Sequence, residues 1–207
     1  ITTLGEGGVL IVKDKNDALK VPGLRHNGHA SYDARDEYWK PAMGNVELDI
    51  EGVWPFNYSM TEVQAALGSK LLERLDVLNN QRREMANKFI AEMTNYPELT
   101  FQKTSEVLQN VHHLMPAKYD GSKFGKCNDD LISLLSRKFG IKVIVQYYPL
   151  NRYPLFEKMG FGRSECPNAD DFFDNMISFP FHHWMSSKDF DYMLSSVKSA
   201  LDKLKEG

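Results

Sequence analysis

The chain has 207 residues and a formal net charge of −3, with 26% charged and 42% hydrophobic residues. That balance fits a globular protein of one large domain or one and a half small ones, and it excludes the basic face that a nucleic-acid or acidic-membrane partner would require. Two cysteines, Cys127 and Cys166, are too few for a disulfide-stapled secreted scaffold and read as free thiols in a reducing cytosol. No apolar run reaches the roughly 20 residues of a membrane span.

The N-terminal ITTLGEGG lacks the basic and apolar regions of a signal peptide. It has no Met and opens inside a Gly-rich turn, unlike a natural start. The glycine cluster at 5–8 leads into Val9–Val12, which predicts a turn followed by a buried strand. A short helix is expected over 17–26. His26 to Pro55 is long, polar and aromatic, an excursion with little regular structure of the kind that is functional or disordered.

The clearest helix starts at Thr61, with Gln64 three residues on completing a capping-box pattern. Val63, Leu67, Leu71, Leu75 and Leu78 recur at helical spacing, and the small residues Ala65, Ala66 and Gly68 favour close packing. This helix is expected to reach about Met93, with room for a bend, before Tyr96 and Pro97 end it. Val111–Lys118 reads as a strand containing His112 and His113. Asn128–Phe139 reads as an amphipathic helix capped by Gly140, and Ile141–Tyr147 as a strand. A short helix over Ala169–Met176, an extended piece over Ile177–Phe181 and a last helix over Ser186–Leu204, with Ser186 and Asp189 as a capping pair, complete the chain. Alternation of helices and strands after Thr61 predicts a small α/β domain behind a long surface helix.

Four features could carry chemistry. The GEGG cluster lets backbone approach a ligand closely or simply makes a tight turn; no helix follows it, so it is no dinucleotide fingerprint. Asn57 precedes a helix N-terminus, where anions are favoured, and either donates to a phosphate or shapes the turn. Gln146, Tyr147 and Tyr148 end a predicted strand before Pro149, where polar groups often face a ligand crevice; an aromatic-proline turn covering the core is the other reading. The pairs His112-His113 and His182-His183 lack a carboxylate or cysteine at metal-ligand spacing, so no metal site is expected.

Taken in order, ITTLGEGGVLIV, the Arg25-x-x-Gly28 loop, PFNYSMTEVQAALG at 55–68, KLLERLDVLNNQRR at 70–83, VQYYPLNRYPLF at 145–156 and CPNADDFFDNMISFPFHH at 166–183 resemble successive motifs of the DegT/StrS family of pyridoxal-phosphate aminotransferases, which aminate keto-sugars on nucleotide carriers. The resemblance implies an α/β fold of the fold type I aminotransferase kind. It makes residues 1–60 the end of the large cofactor-binding domain with an active-site loop, 61–95 a long connecting helix, and 96–207 a small C-terminal α/β domain.

It further implies pyridoxal 5'-phosphate as cofactor, a nucleotide-sugar substrate with an amino-acid donor such as glutamate, a cytoplasmic homodimer with shared active sites, and a role in amino-sugar or cell-surface polysaccharide biosynthesis. The Schiff-base lysine falls just upstream of Ile1, so no catalytic residue is expected within the chain, which would be inactive alone. Asn57 stands where the family reaches the cofactor phosphate of the neighbouring subunit. Gln146 and Tyr147 stand where a His-Tyr pair lines the sugar-nucleotide site. Two positions depart from the pattern: Ser59 replaces an Arg that could hold an anion bidentately, and Asn151 replaces a frequent His. A sugar dehydratase of the same family, with histidine for the lysine, and a non-catalytic dimerisation or binding module are the alternatives.

Overall fold

Capping chemistry marks out most of the helices. The computed structural model describes residues 4–29, 53–103, 108–161 and 164–206; most of the excursion expected over 26–55 lies outside them. Asp14 accepts hydrogen bonds from the backbone N–H of Asn16 and Asp17 and starts helix α1, Lys15–Arg25. Thr61 and Gln64 form a full capping box at the start of α2, Glu62–Leu72. The helix expected to continue to Met93 breaks at Glu73 and Arg74, and α3 follows as Leu75–Glu92. The chain divides into two compact units at the same point, between Arg74 and Leu75.

In the first unit, the buried strand predicted over Val9–Val12 is not formed. The segment has no regular secondary structure and no strand partner among the described residues, and Val9, Leu10 and Ile11 are 88%, 72% and 86% exposed. A strand needs a neighbour to satisfy its backbone groups, and no segment of the described residues pairs with this one. The element that does organise this unit is a short antiparallel pairing between the end of α1 and the segment before α2. Phe56 donates to the Leu24 carbonyl, Asn27 to that of Phe56 and Tyr58 to that of Arg25.

The second unit is built on a three-stranded antiparallel sheet in the order β1 (Leu99–Phe101), β2 (Met115–Tyr119), β3 (Met176–Phe179). On β2 the buried residues alternate as Met115, Ala117 and Tyr119, as expected where one sheet face meets a core. Helices α3, α4 (Asn128–Phe139) and α7 (Ser187–Glu206) contribute Phe89, Leu131, Leu135, Val197 and Leu201 to that core. Phe89 is fully buried, its ring 4.9 Å from Phe179 and 5.9 Å from Phe101. Gly140 ends α4 at φ 66, a left-handed turn that favours glycine. Ser186 and Asp189 cap α7 through reciprocal contact.

Two strand expectations are corrected here. His112 and His113 precede β2 rather than lying in it, because His112 has φ 47, which no strand residue adopts. That turn is held by Arg82 of α3, only 5% exposed, which donates to the carbonyls of His112 and His113 at 2.7–3.0 Å and lies 5.1 Å from the Phe181 ring. Burial, then the charges of Arg82 and Arg83, hold the His112 imidazole below its ordinary range. The strand expected over Ile141–Tyr147 reduces to one bridge, in which Ile144 and Ser178 exchange backbone hydrogen bonds of 3.2 and 2.8 Å. Strand β3 is only four residues long and uses its other edge on β2, so Ile144 finds a single partner. Between these pieces run α5, Pro154–Lys158, and α6, Pro167–Asn175. No helix among the described residues is long and apolar enough to cross a membrane.

Candidate functional site

The candidate residues fall in both units. Asn57 belongs to the first, Gln146 and Tyr147 to the second.

Around Asn57, the pairing with the end of α1 fixes the backbone, since His26 and Asn57 form a bridge. The side chain is fixed by an Asx turn in which Asn57 Oδ1 accepts the N–H of Ser59 at 3.0 Å. This settles the orientation of the amide. An N–H faces Oδ1, so Nδ2, the donor, is directed elsewhere, and it bonds to nothing among the described residues. Ser59, in place of the family's Arg, has its hydroxyl 3.2 Å from His26 Nδ1. It ties the α1 end to the turn before α2 rather than presenting a charge.

Behind this turn lies the glycine segment. Gly5 has φ 80, so the segment is a tight turn. Gln64 of α2 donates from Nε2 to the carbonyls of Leu4 and Glu6, both at 3.2 Å. Two glycines make close approaches that a larger residue would block: a Cβ on Gly7 would stand 3.0 Å from Met60 Cε, and one on Gly68 would stand 3.2 Å from Leu4 Cδ1. Residues 6–10, Arg25, Tyr58, Ser59 and Gln64 line an open groove of about 1130 Å³. Asn57 itself does not line this groove, although its chain neighbours Tyr58 and Ser59 do. At the start of α2, Glu62 supplies a negative charge that offsets the helix dipole.

In the second unit Gln146 is half-buried and Tyr147 is 71% exposed. The chain just beyond them is firmly held. Tyr148 packs its ring 5.3 Å from Phe173 and 5.6 Å from Tyr153. Arg152 grips α6, pairing with Asp170 and bidentately with Asp174 at 2.5 and 2.9 Å; these hydrogen bonds raise its already high basicity further. Asn151, the second departure, donates to the Ser164 carbonyl and to the Asp170 carboxylate at 3.2–3.3 Å. Among the described residues no group of acids, cysteines or histidines could hold a metal ion.

Sequence reasoning missed the amide side of Gln64 and the Arg152 clamp. The first was hidden behind a capping-box role that explained the residue already. The second joins positions 18 and 22 residues apart, a spacing that carries no periodic signal.

The fold that carries these residues is that of known sugar aminotransferases. Sugar aminotransferase CalS13 from Micromonospora echinospora superposes with a TM-score of 0.75 at 18% identity, over 95% of this chain and 48% of that one. NtdA from Bacillus subtilis, solved with bound cofactor PMP, gives 0.69 at 18% identity, over 91% and 40%. The mixed α/β architecture is therefore of fold type I. The chain belongs to the DegT/DnrJ/EryC1/StrS aminotransferase family, whose model matches residues 1–198. A UDP-4-amino-4,6-dideoxy-N-acetyl-beta-L-altrosamine transaminase from Campylobacter jejuni is 29% identical to it over 207 residues, 100% of this chain and 51% of that protein. The chain spans about half the length of the curated relatives it matches.

Proposed function

We propose that this chain is the C-terminal part of a pyridoxal-phosphate-dependent aminotransferase that moves an amino group, from glutamate or a similar donor, to a keto-sugar on a nucleotide. The observation that carries the reading is the Asn57 turn, which spends the amide oxygen internally and leaves the Nδ2 donor available, one residue before the groove-lining Tyr58. An Nδ2 donor, the Arg25 guanidinium and the glycine backbone are groups that fit a phosphate. When bound, the cofactor supplies an electron sink for the carbon that gains or loses the amino group. Asn57 would hold its phosphate, while Gln146 and Tyr147 would orient the sugar nucleotide. The Schiff-base lysine is expected in the segment preceding the GEGG turn.

In this reading residues 1–60 complete the cofactor domain, 61–95 connect, and 96–207 form the small domain. The C. jejuni relative, named for a UDP-linked amino-sugar, supports a nucleotide-sugar substrate, and NtdA with PMP supports the cofactor. A homodimer with residues 55–68 at its interface is supported by α2, which buries no residue within this chain and leaves Val63, Leu67 and Leu72 exposed. The free thiols Cys127 and Cys166 agree with a cytoplasmic setting.

The test is a half-reaction with the complete aminotransferase. Glutamate should convert bound pyridoxal phosphate to pyridoxamine phosphate, and a UDP-linked keto-sugar should reverse the spectral change with its nitrogen in the product. Failure to bind the cofactor would exclude the reading. Turnover of the keto-sugar without uptake of labelled nitrogen would instead assign the dehydratase.

A further inference from the structure

The end of α2 that meets the glycine turn is held by one side chain acting in two directions. Gln64 Oε1 accepts the Thr61 backbone N–H at 3.1 Å and its hydroxyl at 2.9 Å, while Gln64 N–H donates to Thr61 Oγ1 at 3.3 Å. That closes the capping box. The same amide's Nε2 donates to the carbonyls of Leu4 and Glu6. A capping box needs only an acceptor at this position, and Glu serves there as well as Gln. Only an amide can cap the helix with its oxygen and bind two carbonyls with its nitrogen. The joint is also shaped for contact, with Gly7 against Met60 and Gly68 against Leu4.

We propose that Gln64 is a positioning residue, a clamp that fixes the glycine turn 5–8 onto the first turn of α2 and thereby sets the groove wall that Glu6, Gly7 and Gly8 form. What the turn positions follows from the functional reading above: the backbone near the cofactor phosphate and the segment expected to carry the lysine. The clamp itself rests only on the geometry.

The substitution Gln64→Glu separates the two jobs. It keeps the acceptor that caps α2, removes both donated bonds, and sets a carboxylate against two carbonyl oxygens. Gln64→Ala removes the cap as well. Gly7→Ala attacks the joint from the other side, by pushing on Met60. In the complete enzyme, ¹⁵N heteronuclear NOE values of Gly5, Gly7 and Gly8 report the mobility of the turn, and circular dichroism reports helicity and Tm.

Gln64→Glu is expected to leave helicity at the wild-type value, because the cap is kept, yet lower Tm and the NOE of all three glycines; Gly7→Ala should lower the NOE of Gly5 and Gly8. In the complete enzyme Gln64→Glu should weaken pyridoxal phosphate binding about tenfold, the equivalent of one hydrogen bond's worth of lost positioning. Unchanged glycine NOE values in Gln64→Glu would overturn the clamp. Looser glycines with undiminished cofactor affinity would overturn its positioning role. A wild-type enzyme that binds no pyridoxal phosphate would overturn the functional reading instead, and the NOE comparison would still decide the clamp.

Discussion

Asn57 allows a test in which affinity and stability respond in opposite order. Its oxygen closes the Asx turn on Ser59 and its Nδ2 is the proposed phosphate donor. Asn57→Asp keeps the acceptor and so keeps the turn, but loses the donor. Asn57→Ala loses both. A hydrogen bond to a charged group contributes about 1.5–3 kcal/mol, so Asn57→Ala should weaken pyridoxal phosphate binding by about ten- to a hundredfold.

Asn57→Asp should bind more weakly still. Two unit charges about 4 Å apart at an effective dielectric near 20 repel by about 4 kcal/mol, an upper figure for a site open to water. The apo-protein should rank the other way. Asn57→Asp should melt with the wild type, while Asn57→Ala should lose about 0.5–1 kcal/mol with the turn, the low end for an exposed bond. Absorbance titration of the complete enzyme gives the first ranking and thermal melts of the cofactor-free form the second. Wild-type affinity in both variants would make Asn57 a turn residue only, and tighter binding by Asp than by Ala would contradict the phosphate contact.

Three further outcomes are expected. Tyr147→Phe should raise the KM for the nucleotide sugar or lower kcat, while stability stays within about 0.5 kcal/mol because the side chain is exposed; an unchanged kcat/KM would remove Tyr147 from the sugar site. Gly121→Ala should destabilise the second unit by about 1–3 kcal/mol, since the added Cβ would meet Tyr119 Oη at 2.6 Å and the Lys126 carbonyl oxygen at 2.8 Å; a chemical-denaturation midpoint equal to the wild type's would show that this turn yields freely. Burial, reinforced by Glu98 and Asp130, pushes the Tyr119 phenol up to about 12. The unfolded chain therefore releases that proton first. The contribution is intact below pH ~10 and is lost as pH rises from there towards ~12. Tyr119→Phe should flatten that part of the stability-versus-pH curve, and an identical alkaline decline in the variant would assign it to other groups.

What the sequence revealed and what it hid follows the range of the interactions involved. Helix starts at Thr61 and Ser186 are set by residues three positions apart and the stop at Gly140 by that residue's own left-handed φ, so they could be read directly; the start at Asp14, three residues ahead of the helix expected over 17–26, was not. The strand expectations failed where a distant partner decides the outcome. Val9–Val12 has the composition of a buried strand, but composition does not supply a neighbour. His112 and His113 sit among β-favouring residues, yet Arg82, thirty positions away in sequence, binds their carbonyls and holds the left-handed turn. At the candidate site, Asn57 was legible through a motif together with the helix start that follows it. The Gln64 clamp and the Arg152 grip on α6 were not, since both join segments whose proximity only the fold creates.

The unpaired Val9–Ile11 run also bears on how the protein behaves in concentrated solution. Three consecutive large exposed apolar residues, with no backbone partner among the described residues, form a template for edge-to-edge pairing between molecules. Glu6 lies on one side and Lys13, Asp14 and Lys15 on the other, charges of the kind that oppose such pairing. Wherever nothing covers the run, colloidal stability depends on those flanking charges. Screening by salt weakens them within a Debye length of about 10 Å at 0.1 M. The segment therefore links the assembly state of the protein to its tendency to precipitate: ionic strength raises that tendency, and pairing of the run within a completed sheet removes it.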